Sequence, residues 1–252
     1  MSRSVLKALD IIEALARSEN GLSLSDLSGR AGFPLSTTHR LLNTLVGRGY
    51  VEQDPQTRRY CLGTGILTLQ AQAVRQRQLV RLAFPHLDRL KQQVHATVNL
   101  GVLSGQDVVY LETFVPDASL GFYSPPGSRM PSCCTAMGKL LLAHLSPQAA
   151  EEFLSSLELE PRTPNTITSL PDLRAELTRI AARGYAVDDQ EYALGVRCVA
   201  APIRDYSDNV IAAVSVTMPA EQLPVGCTDA TAALVVAACR RISRALGHPD
   251  SA

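Results

Sequence analysis

The sequence predicts an α+β chain in two parts: a small helix-turn-helix with a β-hairpin, then a larger domain of mostly antiparallel sheet with segregated helices. Three observations carry this. In the stretch Phe33–Leu45, FPLSTTHRLLNTL, Thr38, Leu41, Leu42 and Leu45 recur at i, i+3, i+4 and i+7, the one-sided stripe of a short packed helix. A capping signal and a glycine turn precede that helix, and a hairpin follows it. From about Ala96 the pattern then switches from helical period to alternation, in paired runs such as ATVNLGVL and VVYLETF.

In chain order, Val5, Leu9, Ile12 and Ala16 make a first amphipathic helix reaching about Arg17, and Asn20-Gly21 stops it. Ser23 stands three residues before Asp26, a capping-box spacing, and opens a short second helix ending near Arg30. Ala31-Gly32 is the turn; Pro34 and Ser36 open the third helix, with Ser36 free to cap it. Tyr50–Glu52 and Arg59–Leu62 read as two short strands around Asp54-Pro55-Gln56-Thr57, a wing with Arg58 and Arg59 near its tip.

Opposite the apolar stripe of the third helix lie Ser36, Arg40 and Asn43, flanked by Thr37, His39 and Thr44. All can hydrogen-bond, none is a carboxylate, and Arg and Asn can grip guanine or adenine edges bidentately in a major groove. Any amphipathic helix has a polar face, so the helix alone does not decide; the turn before it and the wing after it do. Charge agrees. Net charge is zero overall, but residues 1–81 carry 11 Lys plus Arg against 6 Asp plus Glu, and the remainder 13 against 18. A positive front is what phosphate contact requires.

From Thr64 to about Val94 the chain reads helical, with Pro85 expected to kink or divide it. The expected boundaries are therefore 1–63 for the winged helix-turn-helix, 64–84 for a linker helix and 85–252 for the second domain. In that domain, hairpin strands surround Ser104–Asp107, and helices are expected over Thr135–Leu145, Pro147–Leu157 and Pro171–Arg183. Strands are expected at Tyr185–Val187, Arg197–Ile203 and Val210–Met218, then a closing helix over Thr228–Leu246.

No run of eighteen apolar residues and no leader-like succession is present, so neither a membrane span nor a signal peptide is expected and the cytoplasm is the expected location. The six cysteines have no CxxC and no regular spacing, which argues against a disulfide framework or a zinc site. His86, His95 and His144 pair with no cysteine in any evident nucleophile arrangement, so neither an enzyme nor a cofactor is expected. A second reading is a thiol- or metal-responsive DNA-binding regulator using Cys133, Cys134 or Cys198.

Five strings, in order, resemble the IclR family of bacterial transcription regulators. They are RSVLKALDIIEALA, GLSLSDLSGRAGFPLSTTHRLLNTLVGRGYV, PSCCTAMGKLLLA, RGYAVDDQEYALGVRCVAAPI and VIAAVSVTMP. The resemblance implies a winged helix-turn-helix, a linker helix and a GAF-like effector-binding domain. It further implies a homodimer or homotetramer on double-stranded operator DNA near catabolic genes, answering to a small organic-acid or aromatic effector. DNA contacts are then expected from Ser36, Thr37, Thr38, His39, Arg40, Asn43, Arg58 and Arg59. Matching effector positions are Ala136, Met137, Asp188, Cys198, Ser215 and Thr217. Two observations fit: the start of the Thr135 helix offers free N–H groups to an anion, and Ser215 and Thr217 alternate with valines, so both hydroxyls point to one side of a strand. At Ala136 and Met137 the best-known member of the family has smaller Gly and Ala.

Overall fold

The computed structural model describes residues 3–69, 78–116 and 123–249, in two compact units, Met1–Arg77 and Gln78–Ala252. The first unit holds α1 (Arg3–Ala16), α2 (Leu24–Ala31), α3 (Leu35–Gly47), β1 (Val51–Gln53) and β2 (Tyr60–Leu62). Ser23 and Asp26 form the expected capping box on α2, and Gly32 ends that helix in the left-handed conformation at φ 68°. Pro34, not Ser36, occupies the N-cap of α3, with no side-chain cap bond; Ser36 lies one residue inside the helix.

Ile11, Leu15, Leu27, Leu42, Leu45, Val51 and Tyr60 close one small core. Burial of each such side chain contributes about 1.5–3 kcal/mol. β1 and β2 pair antiparallel, and a bridge between Leu22 and Tyr60 ties the α1–α2 connection to the wing. That close approach explains Gly21: a Cβ there would lie 2.6 Å from the Tyr60 carbonyl oxygen.

Residues 64–69 are helical, and the rest of the expected linker falls partly on 70–77, outside the described residues. The second unit opens with α4 (Gln78–Val94), which runs through Pro85 without division. Val80, Ala83, Leu87 and Leu90 bury its inner face, while Arg81 and Pro85 lie on the exposed side. The carbonyl that loses its intrahelical donor to proline, four residues back at Arg81, therefore meets water, and packing overrides the break.

Six strands follow in one antiparallel sheet: β3 (Thr97–Ser104), β4 (Asp107–Phe114), β5 (Arg129–Pro131), β6 (Ala186–Asp189), β7 (Val196–Arg204) and β8 (Val210–Pro219). Their order is β5-β4-β3-β8-β7-β6. The helices α5 (Ala136–Ala143), α6 (Pro147–Ser155), α7 (Leu170–Arg183) and α8 (Thr228–Ala245) complete the unit. α5 packs on β6, β7 and β8 with α7 behind it; α8 packs on β7 and against α4. Alternation along β7 separates the two layers: Cys198 and Ala200 join the α5 core, Val199 the α8 core. Gly138 sets the seat of α5, because a Cβ there would lie 2.3 Å from the Ser132 backbone. The three-residue β5 was not expected from the sequence. Among the described residues no helix is long and apolar enough to cross a membrane.

Candidate functional site

The first candidate surface is the outer face of α3. Ser36, His39, Arg40 and Asn43 are exposed along it, and Thr37 is half-buried. Thr38 is not on that face. It is 0% exposed, part of the inward stripe, and its Oγ1 donates to the Pro34 carbonyl at 3.3 Å. The expectation that Thr38 meets DNA is thus corrected: a hydroxyl satisfied within its own helix lets threonine act as a core residue.

At the wing, Asp54 accepts from the amides of Gln56 and Thr57 at 2.7 and 2.9 Å, and these bonds hold its carboxyl below the usual range. Arg58 then takes a left-handed φ of 58° and is exposed. Arg59 differs from it. Its Nε donates to Asn20 O at 3.0 Å, its Nη2 to Gly21 O at 2.9 Å, and it faces Asp26 at 4.0 Å. Arg59 fastens the wing to the α1–α2 connection rather than extending freely toward a phosphate.

The second candidate is a cavity of about 280 Å³ between α5 and the sheet. Ala136, Met137, Asp188, Cys198, Ser215 and Thr217 all line it. Register explains why. Asp188 pairs with Cys198 and Cys198 with Thr217, a row across β6, β7 and β8; Asn99 of β3 pairs with Ser215 in the next row. Paired residues share a face, and this is the face that α5 covers.

Asn99 was not foreseen as a site residue. It is 3% exposed, and its Nδ2 donates to Thr217 Oγ1 at 3.3 Å and Ser215 Oγ at 3.5 Å. Its Oδ1 is buried with no hydrogen-bond partner among the described residues. An unmet amide oxygen of this kind costs roughly 1–3 kcal/mol unless something supplies a donor. Tyr110, Tyr123 and Tyr192 add aromatic walls that were also missed. The one signal for Asn99 is its position, a lone amide inside the apolar run of β3.

Over this floor stands the start of α5. Thr135 caps it, accepting from the Gly138 amide at 3.2 Å. The amides of Ala136 and Met137, in the first turn, have no intrahelical acceptor, and both residues line the cavity. Met137 packs over Gly101, whose missing side chain makes room for its sulfur.

Asp188 Oδ1 accepts from the amides of Glu191 and Tyr192 at 2.8 and 3.4 Å. Burial nevertheless pushes its carboxyl up to about 7. Behind it the Lys139 ammonium, 1% exposed, pairs with Glu191 and so pins the β6–β7 loop to α5. Cys198 Sγ lies 3.4 Å from Thr217 Oγ1, and desolvation pushes its thiol up, away from the thiolate a reactive cysteine needs. Cys133 and Cys134 are buried in the α5 core; their mutual hydrogen bond lowers the pKa of Cys133 and raises that of Cys134.

Comparison with known proteins bears on both sites. The model of the IclR helix-turn-helix domain matches residues 4–55, and that of the bacterial transcriptional regulator IclR C-terminal domain matches residues 71–244. The chain is 35% identical over 241 residues to the HTH-type transcriptional regulator BhcR of Paracoccus denitrificans strain Pd 1222, covering 96% of this chain and 86% of that protein. It is 30% identical to the transcriptional repressor IclR of Escherichia coli K12, covering 97% and 90%. A crystal structure of an IclR homolog complexed with 4-hydroxybenzoate, from Microbacterium hydrocarbonoxydans, superposes with a TM-score of 0.82 at 28% identity, covering 96% and 98%. These relatives are named as regulators, a role without catalysis. The chain belongs to the IclR family of bacterial transcriptional regulators, pairing a DNA-binding helix-turn-helix with an effector-binding carboxy-terminal domain.

Proposed function

We propose that the protein reads its operator through Ser36, His39, Arg40 and Asn43 of α3, steadies itself on phosphate through Arg58, and answers to a small hydroxylated organic acid held beneath α5. The carrying observation is the buried Asn99 Oδ1, an acceptor without a donor among the described residues, in a cavity also lined by Ala136 and Met137, whose amides open α5 without an intrahelical acceptor. A ligand carboxylate suits those amides, and a hydroxyl suits Asn99. Three tyrosines favour a planar body between them. The cavity lies at the small end of ligand sites, which fits a metabolite rather than a cofactor. The relative solved with 4-hydroxybenzoate holds an acid of this kind.

In this reading a cytoplasmic homodimer, or a homotetramer built from it, presents two α3 helices to half-sites ~34 Å apart or a multiple of it. The effector acts only if it binds one arrangement of the effector domains more tightly than another. Thermal unfolding against hydroxybenzoates and aliphatic hydroxy acids tests the site. A ligand at a hundred times its Kd stabilises the fold by about 2.7 kcal/mol. The shift should vanish in Asn99→Leu and Ser215→Ala. A hit that survives both substitutions would move the effector elsewhere.

A further inference from the structure

The polar lining of the cavity beneath α5 consists of amide, hydroxyl, phenol and thiol groups and one carboxyl, Asp188; among the described residues no Lys, Arg or His belongs to it. The stretch 117–122, before Tyr123, lies outside the described residues, and its sequence, DASLGF, contains no basic residue. The cations that brace the walls are engaged elsewhere. Lys139 is 1% exposed and paired with Glu191, and Arg162 lies over the Tyr192 ring, 5.2 Å from its centroid, and 3.8 Å from Glu160.

What remains for a ligand anion is the start of α5, whose residues Ala136 and Met137 line the cavity. A helix start is equivalent to roughly half a positive charge. With the neutral donors around it, that suffices for one carboxylate. A second negative group would lose its water on entry and meet no cation in return, which disfavours it strongly.

Asp188 sharpens the limit. Its bonds to the Glu191 and Tyr192 amides both fall on Oδ1. The other oxygen can donate to a ligand oxygen while the carboxyl is protonated, and repels it once ionised. The titratable groups around this carboxyl are Lys139 of α5, Glu191 and Tyr192 of the β6–β7 loop, Cys198 of β7, Tyr110 of β4 and Cys134 just before α5. Of these Lys139 alone is a cation, and Glu191 offsets it.

We propose, resting on the reading above that an acid sits beneath α5, that the effector carries one carboxylate and no second negative charge, and that Asp188 is the specificity-determining residue that turns dicarboxylates and phosphate esters away.

Isothermal titration of the full chain at pH 6 and pH 8 tests this with two matched sets: lactate, malate and the monoamide of malate; 4-hydroxybenzoate, 4-hydroxyisophthalate and the monoamide of that diacid. Diacid and monoamide are nearly equal in size and differ by one charge. In at least one set the singly charged probes should bind, and the diacid should bind at least about tenfold more weakly than its monoamide at pH 6. In wild type that ratio should widen at pH 8, by roughly threefold or more, as Asp188 ionises; in Asp188→Asn it should stay constant. A diacid that binds as tightly as its monoamide overturns the charge limit and leaves the acid reading standing. A wild-type ratio that does not change with pH, or one that changes alike in Asp188→Asn, overturns the role of Asp188. Failure of every singly charged probe to bind overturns both the proposal and the reading beneath it. If Asp188→Asn fails to fold by circular dichroism, the wild-type ratio at the two pH values decides, and an unchanged ratio is contrary.

Discussion

Asp188→Asn isolates the one carboxyl that the described residues place in the cavity beneath α5. Asp188 is 3% exposed, and burial is the main cause that pushes its pKa up to about 7. In the unfolded chain an aspartate titrates near ~3.9. The folded chain therefore holds this proton to higher pH than the unfolded chain does. The stability that the protonated form contributes is complete below the unfolded value and is lost as pH rises to the folded value. Between pH 5 and 7 the loss is about two pH units at ~1.36 kcal/mol each, on the order of 2–3 kcal/mol in all, and it levels off above 7. Asparagine keeps an acceptor for the Glu191 and Tyr192 amides and cannot ionise. Urea unfolding followed by circular dichroism at pH 5, 6, 7 and 8 should show the variant gaining on the wild type by about that amount as pH rises. Differences between the two proteins that stay constant across this range would refute the assignment of a buried neutral Asp188. A carboxylate ligand in the cavity would accordingly bind less tightly as pH rises through 7.

Arg59→Ala should lower the stability of the first unit by about 1–2 kcal/mol, because it breaks bonds to the Asn20 and Gly21 carbonyls, while Arg58→Ala leaves the thermal midpoint nearly unchanged. Gly138→Ala drives a methyl to 2.3 Å from the Ser132 backbone and should cost about 3 kcal/mol or more, read as a lower unfolding midpoint of the effector domain. Lys139→Met leaves Glu191 buried without its cation and should cost roughly 3–5 kcal/mol; Lys139→Met/Glu191→Gln should recover part of the loss in denaturant unfolding.

The small domain was legible because its signals are local. The Ser23 and Asp26 capping box, the Gly32 turn and the Leu42 and Leu45 stripe each act within a few residues, and all form as expected. Thr38 misled because a threonine on the boundary of two helix faces reads as either; its own helix carbonyl settles its place. Arg59 misled for the opposite reason. Its partners lie 38 and 39 residues away, at Gly21 and Asn20, beyond any local pattern. Pro85 was expected to kink or divide a helix; the helix is not divided there, because burial of Val80, Ala83, Leu87 and Leu90 outweighs one lost bond on the wet side. In the larger domain, alternation located the long strands and the family resemblance located the six matching cavity residues. Asn99 and the three tyrosines stayed hidden, since sheet register and a loop bring them together.

In the proposed function, base reading and phosphate holding are divided between α3 and the wing. Affinities of the wild type, Arg40→Ala and Arg58→Ala for operator and for random duplex, across a salt series, test it most directly. Arg40→Ala should weaken operator binding by about 1–3 kcal/mol and leave random binding nearly unchanged. Arg58→Ala should weaken both and reduce the salt slope by about one. Equal losses on both duplexes in both variants would contradict the division.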